Sequence, residues 1–297
     1  IPNSSHVDKP RQDRLPVVCV DTPRQPNWKD YSHAKGVPEI EICLNVEREP
    51  ILYRNLGSKN SAVQASAHRH AFHQLMNSGR LVDVRVSPNS HFVFCRLSHP
   101  LIVDRKFSPP SISVRVTEAE FAKRCSERHA QANPVAPLCY PGGSERLYLQ
   151  SEVPLSECIV QGLAMRSSNI SITQNERVWV SCAGTVSTLH YDISASLLIQ
   201  VSGRKRMFLF PPEMINFLGI YPVGHPLHRR SRVDLTKICQ ANHELFQEFW
   251  HLASTSAVQV LLEPGDILSF PSGWAHYTES LTYSVSHSFR WAPVHKT

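Results

Sequence analysis

The second half of the chain consists of short β-type segments that follow one another with little more than a turn between them. From residue 146 onward, alternating or continuous apolar runs are separated by Gly, Pro, Ser and Asn. This spacing predicts a sandwich or barrel, in which every short strand pairs with neighbours. We expect strands at 146–150, 178–182, 189–192, 196–201, 206–210, 257–262, 267–270 and 283–291.

The first 145 residues predict a different organisation. Residues 1–38 hold six prolines among charged residues, which indicates an extended arm. Residues 39–145 predict mixed α/β elements that pack on the barrel, which occupies 146–297. A capping box at Thr117 and Glu120 starts one helix. The other expected elements are strands at 49–54, 81–86, 92–97 and 112–116 and helices at 61–77, 212–218 and 240–252. The fold class is therefore mainly β, with flanking N-terminal α/β elements.

Composition excludes several classes of protein. The 297 residues are 41% hydrophobic, which is enough for a sizeable core. The net charge of +6 is spread without a Lys/Arg block, so nucleic acid is not an expected partner. There is no apolar run of about 18 residues and no secretory leader, so we expect neither a membrane span nor secretion. The expected compartment is intracellular, cytoplasm or nucleus.

The eight cysteines never lie closer than 14 residues to one another, which excludes paired CxxC zinc or redox motifs. Their even number is compatible with disulfides. In an intracellular chain, however, we expect reduced cysteines that act as small apolar core residues.

Three residues could hold a metal ion. His190 and Asp192 are two apart, which on a strand places both side chains on one face, and His276 follows a strand and a proline turn. Two histidines and one carboxylate on one face form the site of non-haem Fe(II) oxygenases. The alternative is two core histidines and a capping carboxylate, and a competing His-x-Asp triplet lies at His6 and Asp8.

Lys205 follows the Ser202-Gly203 turn, 15 residues after His190. A lone cation beside a metal site suits a dicarboxylate whose far end needs an ion pair. The alternative is a solvated lysine at a turn.

Several co-ordered motifs carry a family resemblance: GTVSTLHYD at 184–192, QVSGRKRMFLFPP at 200–212 and GDILSFPSGWAHYTESL at 265–281. With them, roughly residues 48–292 resemble the JmjC/cupin family of Fe(II)- and 2-oxoglutarate-dependent oxygenases, and within it the asparaginyl hydroxylases. The resemblance implies a double-stranded β-helix, or jelly roll. It also implies that Fe(II) is bound by His190, Asp192 and His276, with 2-oxoglutarate and O₂ as cosubstrates.

The resemblance extends to the cosubstrate pocket. It implies that the distal carboxylate of 2-oxoglutarate contacts Lys205, Tyr148 and Ser187. Ser196 and Ser288 stand where the asparaginyl hydroxylases place amides near the cosubstrate.

Two arginines depart from the family pattern. Arg230 and Arg290 replace a glutamine and an aromatic residue that contact substrate in the asparaginyl hydroxylases. Period-2 alternation places Arg290 on the same strand face as Ser284, Ser286 and Ser288. If that face looks into the barrel, two extra cations lie near the metal and favour an anionic substrate. The alternative is a solvated arginine at the strand end.

The expected function is a 2-oxoglutarate-dependent dioxygenase that hydroxylates an unidentified substrate, with a protein side chain favoured. Lysine demethylation, a small acidic metabolite and a modified RNA base remain open, as does a non-catalytic cupin-type binding module. The chain stops six residues after Trp291, without the C-terminal helical pair through which the asparaginyl hydroxylases dimerise. We therefore expect a monomer or a different dimer.

Overall fold

Two β-sheets that face each other form the body of the protein. The computed structural model describes residues 27–30, 49–129, 146–153, 170–235, 252–253 and 256–293. Fourteen strands among these residues form a nine-stranded and a five-stranded sheet. The molecule is therefore mainly β and has the two-sheet architecture of a jelly roll, as the sequence predicted.

The larger sheet contains most of the strands of the N-terminal half together with strands of the barrel. Its order is β1-β2-β12-β9-β14-β7-β6-β3-β5. The bounds are β1 (Asn27–Asp30), β2 (Ile51–Arg54), β3 (Leu81–Ser87), β5 (Ile112–Thr117), β6 (Arg146–Val153), β7 (Ile170–Ser181), β9 (Ala195–Ser202), β12 (Ile267–Phe270) and β14 (Ser284–Pro293).

The smaller sheet has the order β11-β10-β13-β8-β4. All of its neighbours are antiparallel except β4 and β8, which are parallel. The bounds are β4 (His91–Phe92), β8 (Val186–Tyr191), β10 (Lys205–Phe210), β11 (Val258–Leu262) and β13 (Ala275–Ser280).

Helices cover the outer face of the larger sheet. They are α1 (Ser61–Arg69), α2 (Phe72–Leu75) and α4 (Glu118–His129). The remaining helix, α3 (Pro100–Val103), begins at a residue that lines the cavity between the sheets. On β3, Val82, Val84 and Val86 pack in one core cluster with Phe121 of α4, while Arg85 points to the other face. Period-2 alternation thus separates an apolar helix-facing side from a polar inner side. As predicted, the Thr117 hydroxyl caps α4 by accepting from the Glu120 amide at 3.1 Å.

The prediction of one continuous helix over 61–77 is wrong. The helix breaks at Ala71, whose backbone is extended with ψ of 135°, and a separate turn, α2, follows. The carbonyl of His70 accepts a hydrogen bond from the Tyr283 hydroxyl at 3.1 Å rather than from the next helical turn. A contact with a residue 213 positions away ends this helix, and no local signal encodes it.

The predicted strand over 92–97 is also wrong beyond Phe92. Past this point the backbone leaves the sheet and bonds to side chains: the Val93 carbonyl accepts from Ser111 and the Phe94 carbonyl from Arg230. A strand that the sequence did not predict, β13, carries His276. The helix expected at 212–218 is a 3-10 helix over Pro212–Phe217. The helix expected at 240–252 lies outside the described residues except for its last position.

A disulfide joins Cys125 of α4 to Cys182 at the end of β7, with a Cα–Cα separation of 5.2 Å. The expectation of reduced cysteines is therefore wrong for this pair, because the packing of α4 on the sheet brings together residues 57 positions apart. Cys95 is free. The expected intracellular compartment, from which reduced cysteines were inferred, stays a prediction, as does the oligomeric state.

None of the helices in the described part of the chain is long and apolar enough to cross a membrane. Of the predicted arm, only β1 is described, and it pairs in parallel with β2. The division into arm, N-terminal elements and barrel stays a prediction.

Removal of the disulfide should lower the free energy of unfolding, since the cross-link constrains the unfolded chain. For Cys125→Ala we expect a loss of about 2–4 kcal/mol, measured by urea denaturation without reductant. Cys95→Ala, which removes a free thiol, is the matched control. Reductant should destabilise the parent protein and leave Cys125→Ala unchanged. Equal destabilisation of the parent protein and of Cys125→Ala by reductant would contradict the stabilising role of this disulfide.

Candidate metal centre and its cavity

Two histidines meet across neighbouring strands of the smaller sheet. The antiparallel register of β8 and β13 places His190 directly opposite His276, and the ring centroids are 4.2 Å apart. Both residues are buried, with 8% and 7% of their surface exposed. The pairing of β8 with β13 therefore brings together residues 86 positions apart in the sequence.

Each histidine is held in one tautomer by a backbone carbonyl. His190 Nδ1 donates to the Thr188 carbonyl at 2.7 Å, and His276 Nδ1 donates to the Trp274 carbonyl at 3.1 Å. A carbonyl only accepts, so Nδ1 carries the proton and Nε2 keeps a free lone pair. Burial lowers the pKa of both imidazoles, and that of His190 lies well below its ordinary value. Neutral rings with an available Nε2 are the form that binds metals.

Asp192 completes the cluster from the first residue after β8. Its backbone carbonyl accepts from the Gly273 amide at 2.9 Å, which ties it to the turn before His276. Burial raises the pKa of Asp192, but the surrounding positive charges, among them those of nearby arginines, outweigh burial, so the net pKa lies below its ordinary value. The carboxylate is therefore ionised at neutral pH.

The three side chains fit a divalent metal ion. Their ligand atoms all lie within 4.8 Å of one another. Two neutral imidazoles and one carboxylate match the 2-His-1-carboxylate set that leaves open positions on non-haem Fe(II). The competing triplet at His6 and Asp8 lies outside the described residues.

Lys205 lies on the same inner face of the smaller sheet. It is the first residue of β10, where it pairs with Ser280 of β13, while Leu209 pairs with His276. Its side chain lines the cavity that contains the metal cluster and is only 2% exposed. Burial lowers its pKa to about 7. The alternative of a solvated turn lysine does not agree with this burial.

The other residues predicted to contact the cosubstrate line the same cavity. The Tyr148 hydroxyl is hydrogen-bonded to Ser187, and burial raises the tyrosine pKa. Ser288 Oγ accepts from Trp179 Nε1 at 2.7 Å, and Ser196 is buried on β9. The structure thus brings these four residues together around the cavity, and their roles toward 2-oxoglutarate stay predictions.

The cavity lies between the two sheets and has a volume of about 920 Å³. One wall carries the metal cluster and Lys205. The facing wall is aromatic, with Tyr148 and Trp179 centroids 5.5 Å apart and Phe94 packed edge-on against both. This volume exceeds what 2-oxoglutarate alone would fill and lies within the range of small-ligand sites.

Arg230 and Arg290 both line this cavity. Arg230 forms an isolated β-bridge with His190, and its Nε donates to the Phe94 carbonyl at 2.9 Å. Burial lowers its pKa to about 10, so the guanidinium stays charged at neutral pH. Arg290 Nη2 lies 2.6 Å from Asp192 Oδ2. The face of β14 that carries Ser288 and Arg290 therefore looks into the barrel.

Sequence reasoning missed four further cavity arginines: Arg85, Arg96, Arg177 and Arg229. Arg229 Nη1 lies 3.7 Å from Asp192 Oδ1, next to the metal cluster. Period-2 alternation could have found Arg85 and Arg177, because each lies on the strand face opposite the apolar core residues of β3 or β7. No comparable signal exists for Arg96 and Arg229, which lie outside regular strands.

Comparison with known proteins identifies the family. The chain matches the cupin-like domain family over residues 39–296, which is most of its length. It belongs to that family. The predicted resemblance to JmjC/cupin proteins is therefore confirmed, and the family match spans both the N-terminal elements and the barrel.

Individual relatives bear JmjC names and are longer. Jumonji C domain-containing protein 5 of Drosophila melanogaster is 36% identical over 116 residues, 39% of this chain and 27% of that protein. Lysine-specific demethylase JMJ30 of Arabidopsis thaliana is 35% identical over 182 residues, 60% of this chain and 38% of that protein. tRNA wybutosine-synthesizing protein 5 of Danio rerio is 31% identical over 112 residues, 38% of this chain and 31% of that protein. The aligned region thus spans less than two fifths of each relative.

Asp192→Ala should abolish divalent metal binding while the fold survives. Outer-sphere partners of a metal are already worth about 10- to 100-fold in affinity, so loss of a direct ligand should cost at least about 100-fold. Titration with Mn²⁺, followed by calorimetry, measures this change. Asp83→Ala, which removes an exposed carboxylate on β3, is the control. Unchanged Mn²⁺ affinity in Asp192→Ala would contradict the assigned ligand set.

Proposed function

We propose that this protein is an Fe(II)- and 2-oxoglutarate-dependent dioxygenase that hydroxylates a C–H bond of its substrate. The observation that carries the proposal is one cavity that combines a His-Asp-His cluster with a buried lysine. The family resemblance implies the same cofactors for these residues. A protein that only binds a ligand would have no need for this combination.

The proposed roles divide between the two ends of the cavity. His190, Asp192 and His276 would hold the iron, which supplies activation of O₂ and of the 2-oxo acid. Lys205 would bind the distal carboxylate of 2-oxoglutarate, assisted by the hydrogen-bonded pair of Tyr148 and Ser187. Because Lys205 is almost fully buried, such an ion pair is poorly screened by solvent.

The overall reaction balances without another cosubstrate. The substrate, O₂ and 2-oxoglutarate would yield the hydroxylated substrate, succinate and CO₂, with one oxygen atom in the new hydroxyl and one in succinate. The protein's own contribution is to position the reactants and exclude water. The aromatic wall of Phe94, Tyr148 and Trp179 supplies part of that exclusion.

We propose a protein side chain as the substrate. The cavity holds more volume than 2-oxoglutarate requires, and two of the named relatives are a JmjC domain protein and a lysine-specific demethylase. Demethylation would follow from the same hydroxylation when the oxidised carbon is an N-methyl group. Hydroxylation is the simpler assumption, because it requires no particular leaving group.

A turnover assay tests the activity. Purified protein with Fe(II), ascorbate and 2-oxoglutarate should release succinate, and release should increase when peptide or protein fractions are added. Asp192→Ala should release none. RNA fractions and metabolite pools serve as parallel additions. Absence of succinate with every addition would contradict the oxygenase proposal and favour a binding module.

Lys205→Met should weaken 2-oxoglutarate binding and leave metal affinity intact. A hydrogen bond to a charged group is worth about 1.5–3 kcal/mol, so the expected loss is about 10- to 150-fold. Calorimetric titration of the Mn²⁺-loaded protein under argon measures it. Lys106→Met changes an exposed lysine and should have no effect.

The pH dependence provides a second measurement on the same residue. With a pKa of about 7, Lys205 is an ammonium below pH 7 and a neutral amine above it. The affinity for 2-oxoglutarate should therefore fall as pH rises above 7, and Lys205→Met should abolish this dependence. An unchanged titration in Lys205→Met would refute its role.

A further inference from the structure

The cavity around the metal cluster has a large excess of positive charge. Seven basic residues line it: Lys205 and six arginines, at 85, 96, 177, 229, 230 and 290. Among the described residues, Asp192 is the single carboxylate in this lining. Iron(II) and 2-oxoglutarate carry equal and opposite charges, so their binding would leave the excess unchanged.

Elsewhere in the described chain, several cations are paired with carboxylates. Exposed or partly exposed pairs join Arg115 to Asp83, Arg124 to Glu120 and Lys106 to Asp104. Two further pairs have a buried carboxylate: Arg54 binds Asp266, and Arg206 binds Glu279. In the described lining of the cavity, by contrast, seven lysine and arginine side chains share one carboxylate.

Among the seven basic residues of the cavity, Arg230 has the hydrogen-bond donor that is most clearly unused. Its backbone is fixed beside His190 by a β-bridge, and its Nε is used by the Phe94 carbonyl. Its Nη1 is buried and has no hydrogen-bond partner among the described residues. A buried guanidinium nitrogen without a partner costs free energy, which a bound oxyanion would offset.

The site of Arg230 is distinct from the one proposed for the distal carboxylate of 2-oxoglutarate. Arg230 is paired with His190, whereas Lys205 is paired with Ser280, four residues along β13 from His276. At the rise of a β-strand this is a separation of about 13 Å between backbone positions. An anion at Arg230 would therefore lie on the substrate side of the metal cluster.

We propose that Arg230 binds a carboxylate of an acidic peptide segment, so that the substrate carries Asp or Glu beside the residue that is oxidised. This inference rests on the proposed function and names the substrate class of the same site. Arg229 and Arg290, which share the single carboxylate of Asp192, extend the cationic surface next to Arg230. Exposed Arg96 continues it toward the rim.

The charge distribution favours a peptide over a nucleic acid. A nucleic-acid strand is bound by cations spaced along an outer groove that follows the phosphates. Here the cations converge inside one cavity, and the chain has no Lys/Arg block.

Binding without turnover tests this proposal. The full chain is loaded with Mn²⁺ and 2-oxoglutarate under argon and titrated against fluorescein-labelled dodecapeptide pools. One pool is drawn from Ala, Gly, Ser, Asp and Glu, and the second replaces the acids by Asn and Gln. Anisotropy should show at least tenfold tighter binding of the acidic pool. Equal binding of the two pools would overturn the proposal.

Variants assign the effect to Arg230. Arg230→Gln should weaken binding of the acidic pool by about 10- to 150-fold. Arg69→Gln makes the same charge change on exposed α1, outside the cavity, and should bind like the parent. Arg230→Lys keeps the charge but not the fork, and should lie between them. Equal affinities of Arg230→Gln and Arg69→Gln, both folded by thermal melting, would refute the assignment.

Competitors separate the possible sources of the anion. An unlabelled oligouridylate that displaces the acidic pool more effectively than the unlabelled pool itself would favour a nucleic acid and overturn the peptide proposal. Free aspartate and glutamate that displace it at equal concentration would favour a small metabolite and also overturn it. Succinate release is measured separately, on the same purified proteins supplied with Fe(II), ascorbate, 2-oxoglutarate and air. Acid-selective binding without release would support the anion site and contradict the oxygenase function instead.

Discussion

The antiparallel pairing of β8 with β13 is the constraint on which the site depends. One register places His190 opposite His276, and the bond from the Gly273 amide to the Asp192 carbonyl fixes the third ligand beside them. Because side chains alternate with a period of two, a slip by one residue would turn His276 away from the cavity. The other cavity residues can act together with the metal cluster only while these two strands keep this register.

A second set of bonds fixes the position of β14 in the larger sheet. The inner face of β14 carries cavity residues, and its outer face is bonded to α1 and β7. On its outer face, His287 Nδ1 lies 3.0 Å from Glu176 Oε1, and its Nε2 lies 2.6 Å from Ser66 Oγ of α1. On its inner face, Ser288 accepts from Trp179. All of these atoms are buried or partly buried, so the bonds are shielded from competing water. They hold β14 between α1 and β7, and thereby position Arg290 at the metal cluster.

Sequence reasoning succeeded where the signal was local. The His-x-Asp spacing, the capping of α4 by Thr117 and most strands of the barrel follow from a few consecutive residues. It failed where contacts between distant residues determine the structure. The Tyr283 hydroxyl bonds to the His70 carbonyl where α1 ends, and a disulfide joins Cys125 to Cys182. Strand β13 was missed because its cavity-facing residues are polar and its apolar alternation is therefore weak.

The arrangement of charge in the cavity explains why the protein tolerates the free-energy cost of burying Lys205 and Arg230. Desolvation lowers the pKa of Lys205 to about 7 and that of Arg230 to about 10, so holding each cation in the cavity opposes folding. A carboxylate built into the barrel beside Lys205 would relieve this cost, but it would also occupy the place that an anionic ligand needs. Asp192 is the sole described carboxylate of the lining, and the proposed anionic ligands would supply further counter-charges. The buried cations thus lower the stability of the ligand-free barrel and raise its affinity for anions. Binding of an anionic ligand should therefore increase the free energy of unfolding.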